Sequence, residues 1–204
     1  MGRKLLEQAA ERLAATKAAE QAAAEVAEAA AREVGEKATQ ASGKIAVPTN
    51  TASLDHRTVD RILSIKKGSR PDPITYLSQD YIDTHLSRFA DGVTKFSSRT
   101  STGIVGPPGG TFVIPGSLAD TIVAQSGDDV GKLEQILSLD PGVLGTSPVR
   151  IDILSPGGLR LPSGNELGAN NQFLPGGYTA GGIPEATINP APPGTYSVTP
   201  VFSK

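Results

Sequence analysis

Apolar positions change their rhythm twice along this chain. Over residues 1–43 they are sparse: Leu5, Leu6, Leu13, Val26 and Val34 stand in a background of Ala, Glu, Lys, Arg and Gln, all good helix formers. Leu6, Leu13, Ala27 and Val34 share a heptad frame, but Glu20 interrupts it, so the pattern predicts a long solvated helix leaning on a partner through its alanines rather than a strong coiled coil. Residues 44–53, with Pro48 and Asn50, read as a linker. Helical spacing returns after Ser53, a candidate cap, with Leu54, Val59, Ile62 and Leu63, and again after Ser78 with Ile82, Leu86 and Phe89. Ser117 and Asp120 predict a capped helix through Ala124, and Asp128 or Asp129 opens another that contains Leu133, Ile136 and Leu137. Two short runs, Val93–Ser97 and Thr111–Ile114, read as strands. From Val149 the period becomes two: Val149, Ile151 and Ile153 alternate with Arg150 and Asp152, then Leu159 with Leu161, then Ile183–Ile188 and Thr195–Phe202. The expected class is α+β. A long N-terminal Ala-rich helix precedes a compact domain over residues 54–204, with helices first and a mainly antiparallel, strongly curved sheet later.

Composition narrows the chemistry. The chain has 204 residues, a net charge of −2 and no cysteine, which removes disulfides, thiol nucleophiles and Cys-based zinc sites. With only His56 and His85, no multi-histidine metal site is expected. Near-neutral charge and 4% aromatic residues give no broad nucleic-acid footprint. No apolar run reaches the roughly 20 residues that span a bilayer, so membrane insertion is not expected. A charged start followed by an apolar core is also missing, so no cleavable signal peptide is expected.

The densest chemistry lies in Leu161–Ala186, LPSGNELGANNQFLPGGYTAGGIPEA. Glycine lets a backbone take unusual conformations and approach a ligand closely, and here glycines are interleaved with Ser163, Asn165, Glu166, Asn170 and Tyr178. The run reads as the wall of a site; the alternative is a set of turns whose side chains satisfy their own backbone. Glu166 and Glu185 form a candidate acid/base pair, or serve as acceptors for loop amides. His85 is a candidate general base, or a boundary histidine bonded to a carbonyl. Arg99, amid hydroxyls that include Ser101, is a candidate phosphate fork, although a surface turn has the same composition. The local basic group Arg57, Arg61, Lys66, Lys67 and Arg70 is offset by Asp55, Asp60 and Asp72 and reads as a solvated face. GPPGG at 106–110 lacks the Lys-Ser/Thr ending of a phosphate-binding loop.

The segments YIDTHLSRF, FADGVTKF, GGTFVIPGSLADTIV, PVRIDI and above all LPSGNELGANNQFLPGGYTAGGIPEATI resemble the C-terminal toxin modules of bacterial polymorphic toxins, of the rearrangement-hotspot, wall-associated and contact-dependent-inhibition types. The resemblance runs from about Tyr76 to the end. It implies a secreted antibacterial effector, delivered by a specialised apparatus through the N-terminal helix, acting in the target-cell cytoplasm and opposed by a cognate immunity protein. Among such modules nucleases come first, so the leading expectation is a ribonuclease acting on tRNA or other RNA without metal or cofactor. In it His85 and Glu166 do the proton transfer and Arg99 holds the scissile phosphate. The first alternative is an ADP-ribosyltransferase or NAD glycohydrolase, with NAD as substrate, Arg99 on its diphosphate and Glu166 or Glu185 stabilising the oxocarbenium-like state. The second is a binding module without catalysis.

Overall fold

The computed structural model describes residues 54–202; the Ala-rich segment, the linker and the Ser53 cap lie outside the described residues. The chain divides into two units after Ala46, and the described residues all belong to the second. Its elements are α1 (His56–Ser64), α2 (Gln79–Leu86), β1 (Val93–Ser97), β2 (Thr111–Pro115), α3 (Gly116–Ser126), α4 (Val130–Ile136), β3 (Val149–Ile153), β4 (Ala186–Ile188) and β5 (Tyr196–Pro200). Helices and strands alternate in groups, with β1 and β2 ahead of α3 and α4 rather than after all the helices as expected, and the domain is α+β. No helix among the described residues is long and apolar enough to cross a membrane.

Local chemistry sets most helix starts. Asp55 caps α1 by accepting from the Thr58 amide at 2.8 Å, so the cap is two residues later than Ser53. Ser78 caps α2, and Asp129 caps α4, as their positions predict. The expected Ser117/Asp120 capping box does not form: α3 begins at Gly116 behind Pro115 with no side-chain cap. Asp120 instead pairs with Arg150 of β3, which also binds Asp152 at 2.8 Å. Because the helix starts one residue ahead of Ser117, Ser117 and Asp120 lie inside its first turns, and Asp120 is free to pair across to β3.

The five strands form one antiparallel sheet in the order β4-β2-β1-β3-β5. It is not the strongly curved sheet expected, because strands of three to five residues are too short to coil far around a core. Val93, Val113, Val149, Ile151, Ile153, Ala186 and Ile188 pack with Phe89, Val105 and Ala191 in the main core. Leu159–Leu161, expected as a strand, makes a single bridge, Arg160 to Thr187. β1 and β3 are paired over five residues, whereas β1 and β2 are paired only at Val93–Pro115 and Thr94–Ile114. Beyond Thr94 the two central strands part, and a cleft opens in the fork.

Candidate functional site

The cleft holds about 340 Å³ and is walled by Phe96, Phe112 and Phe173 together with Leu137, Leu139, Val143 and Leu167. That size falls at the lower end for small-ligand sites. Its polar lining is Lys95, Thr111, Ser138, Asn170, Gln172, Thr179 and Glu185. Val143 and Leu167, 50% and 76% exposed, form an apolar rim at the mouth.

Glu185 and Lys95 are the ionisable groups of the cleft. Neither side chain has a hydrogen bond or a contact ion pair with another described residue, yet they lie within electrostatic reach of one another. Burial pushes the Glu185 carboxyl up to about 8, the Glu166 charge adds to the rise, and the Lys95 ammonium opposes it. Burial likewise pushes Lys95 down, opposed by Glu185. Two perturbed groups in one cleft, unpartnered among the described residues, make it the candidate functional site. Lys95 was absent from the sequence-based candidates. A signal was present: it stands two residues from core Val93, on the strand face that β1 turns to the interior, where a lysine is costly.

Glu166 has a different character. It is 7% exposed, and its carboxylate accepts from the Ser163 amide at 3.0 Å, the Ser163 hydroxyl at 3.1 Å and the Gly164 amide at 2.8 Å. Its oxygens are occupied in tying the loop. Asn165 also fastens the fold, accepting from the amides of Gly68 and Arg70 and donating to the Arg70 carbonyl. Asn170 reaches the cleft, donating to the Ser138 carbonyl at 3.1 Å. The run Leu161–Ala186 is therefore partly cleft wall and partly self-satisfied turn.

His85 is 2% exposed and packs among Tyr81, Phe89 and Tyr178, the last ring edge-on with centroids 4.9 Å apart. Its Nε2 lies 3.0 Å from the Glu185 carbonyl, so it is the donating nitrogen and the buried Nδ1 is left without a partner. Burial holds its pKa below the usual histidine value, so the ring is neutral. Neither His85 nor Tyr178 lines the cleft; both support the chain that carries Glu185. Arg99 and Ser101 follow β1, with Arg99 exposed and Ser101 accepting from the Tyr196 hydroxyl. The structure thus places Glu185 and Asn170 on the cleft and leaves Arg99, Ser101, Ser163 and Tyr178 outside its lining.

The chain matches no known family model and no curated protein. What the cleft can do follows from its own groups. Among the described residues no cluster of three or more His, Asp or Glu side chains is placed to hold a metal ion. The lining offers three phenylalanine side chains, one titratable carboxyl and one titratable amine.

Proposed function

We propose that the cleft cleaves the nicotinamide–ribose bond of NAD, by hydrolysis or by ADP-ribosyl transfer. The observation that carries this reading is the Glu185 carboxyl, without a hydrogen-bond partner among the described residues, in a phenylalanine-lined cleft that also holds Lys95. A nicotinamide ring is flat and cationic. Aromatic faces attract such a ring, and its charge favours the ionised form of a nearby carboxyl. Seating the ring therefore draws the proton from Glu185. Burial disfavours the charged form of Lys95, which lessens its opposition to the ring.

As the C1–N bond of the ribose breaks, the pair stays with nicotinamide, which leaves neutral. Positive charge then develops on the sugar, and the Glu185 carboxylate stabilises it. Water adds to C1 and gives its proton to Glu185, leaving ADP-ribose. A protein nucleophile in place of water gives ADP-ribosyl transfer.

The ribonuclease reading draws less from this geometry. Its general base, His85, is enclosed and bonded to a backbone carbonyl, and Lys95 is the single basic side chain among the lining residues, whereas RNA backbones call for several phosphate contacts. With NAD cleavage we infer, on the resemblance to polymorphic-toxin modules, a delivered effector countered by a cognate immunity protein.

Nicotinamide released from NAD, measured by chromatography, is the test. Wild type releases it, and Glu185→Gln lowers the rate by about 10²–10⁴-fold, the range for loss of a positioned proton-transfer group. An unchanged rate in that variant overturns the assignment of Glu185. Intact NAD together with discrete tRNA fragments restores the ribonuclease.

A further inference from the structure

The geometry points to a second reactivity in the same cleft: Lys95 is a carbonyl-reactive amine that captures small aldehydes and ketones, aromatic ones above all, as imines. This is independent of NAD cleavage and rests on how the amine is housed.

Two features set Lys95 apart from the other described lysines. It lines a cleft with room for a small ligand, while Lys66, Lys67 and Lys132 are exposed on the surface. Phe96, Phe112, Leu137 and Leu139 share the space it lines, with Thr94, Thr179 and Glu185 as the polar members, so the charged form is poorly solvated. Like exposed Lys66 and Lys132, and unlike Lys67, which donates to the carbonyls of Leu167 and Ala169 at 3.0 and 2.7 Å, it has no hydrogen-bond or ion-pair partner among the described residues. A lysine in such surroundings keeps its lone pair free for attack.

Glu185 supplies the second requirement, a proton donor and acceptor within the same slot. The Nζ lone pair adds to the carbonyl carbon, and the nitrogen's extra proton passes to the carbonyl oxygen, giving a carbinolamine. Glu185 protonates the hydroxyl, and water leaves as Nζ and carbon form a double bond. The remaining nitrogen proton returns to the carboxylate. One carbonyl oxygen and two amine hydrogens depart as water, and no oxidant or reductant is needed. The aromatic walls favour a flat carbonyl compound over an aliphatic one of equal reactivity.

The test uses the full chain with benzaldehyde and cyanoborohydride at pH 7, which fixes each imine as a stable benzylamine; peptide mass spectrometry then reads each lysine separately. Exposed lysines serve as internal references, since only on the order of one in 10³ of them carries a free amine at that pH. Lys95 is expected to be labelled at least tenfold faster than Lys66 and Lys132. Glu185→Gln is expected to slow labelling at Lys95 several-fold and leave the references unchanged. Labelling of Lys95 no faster than the references overturns the proposal, and so does a Glu185→Gln variant that labels Lys95 as fast as wild type.

Discussion

Three buried or half-buried glutamates show how little the residue type alone decides. Glu134 accepts from the amides of Gly142 and Leu144, and Glu166 from those of Ser163 and Gly164; both are fasteners. Glu185 has no such partner. Sequence marked both Glu166 and Glu185, with Glu166 slightly ahead, because whether neighbouring amides converge on a carboxylate depends on backbone angles that the residue names do not express. Glu166→Ala leaves the buried Gly164 amide and the part-buried Ser163 amide unpaired, each costing about 1–3 kcal/mol, so urea unfolding should register a loss of roughly 2–6 kcal/mol. Glu185→Gln has the opposite sign. The folded carboxyl titrates near 8 against an ordinary value of 4.5, so its contribution is full below 4.5 and is lost as pH rises through 8. Thermal melts should find Glu185→Gln more stable than wild type at pH 9 and near it at pH 4. An equal deficit at both would show that Glu185 is a structural acceptor after all. His85 runs the other way. Its folded pKa lies below the ordinary 6.5, so its contribution is present above 6.5 and is lost as pH falls. His85→Phe should flatten the acid side of the stability curve.

Elements held by local signals were legible, and those held by distant partners were not. Ser78 and Asp129 cap their helices where the sequence placed them, and the alternation Val149–Ile153 is a strand as expected. Asp120, by contrast, takes no part in a cap and pairs with Arg150, thirty residues away. Leu159–Leu161 has strand periodicity but only Thr187 as a bridging partner. The stretch leading to β4 illustrates a constraint that sequence hinted at through glycine. Gly177 has φ +83°, and a Cβ there would meet Leu161 and come within 2.8 Å of His85 Nε2. Its carbonyl also accepts from the Glu185 amide at 2.8 Å. Gly177→Ala should therefore cost roughly 2–4 kcal/mol, from strain and overpacking together, and should lower NAD cleavage by shifting Glu185. Gly157→Ala, with open space at that position, should stay within about 0.5 kcal/mol of wild type.

At the scale of the molecule, the α+β class was legible from the change of period, but the strand order β4-β2-β1-β3-β5 was not, since it joins segments far apart in the chain. The cleft was hidden for the same reason: it exists only because two strands that pair at one end fail to pair at the other. Under the proposed NAD cleavage, its chemistry predicts a pH profile. If the working form of Glu185 is ionised, kcat/KM for NAD should climb with pH and level off above about 8, the value of the empty cleft. A profile flat from pH 6 to 9 would remove Glu185 from the rate-determining chemistry. The parting of β1 and β2 has a mechanical side too. On one side of the seam β2 and β4 are laced by three residue pairs, on the other β1, β3 and β5 by five and five, and only two pairs stitch the halves together. The slot therefore lies along the seam of the sheet where pairing is shortest, so a guest seated there takes space that no rung of β2–β4 or of β1–β3–β5 needs, and occupancy and an intact ladder are compatible demands.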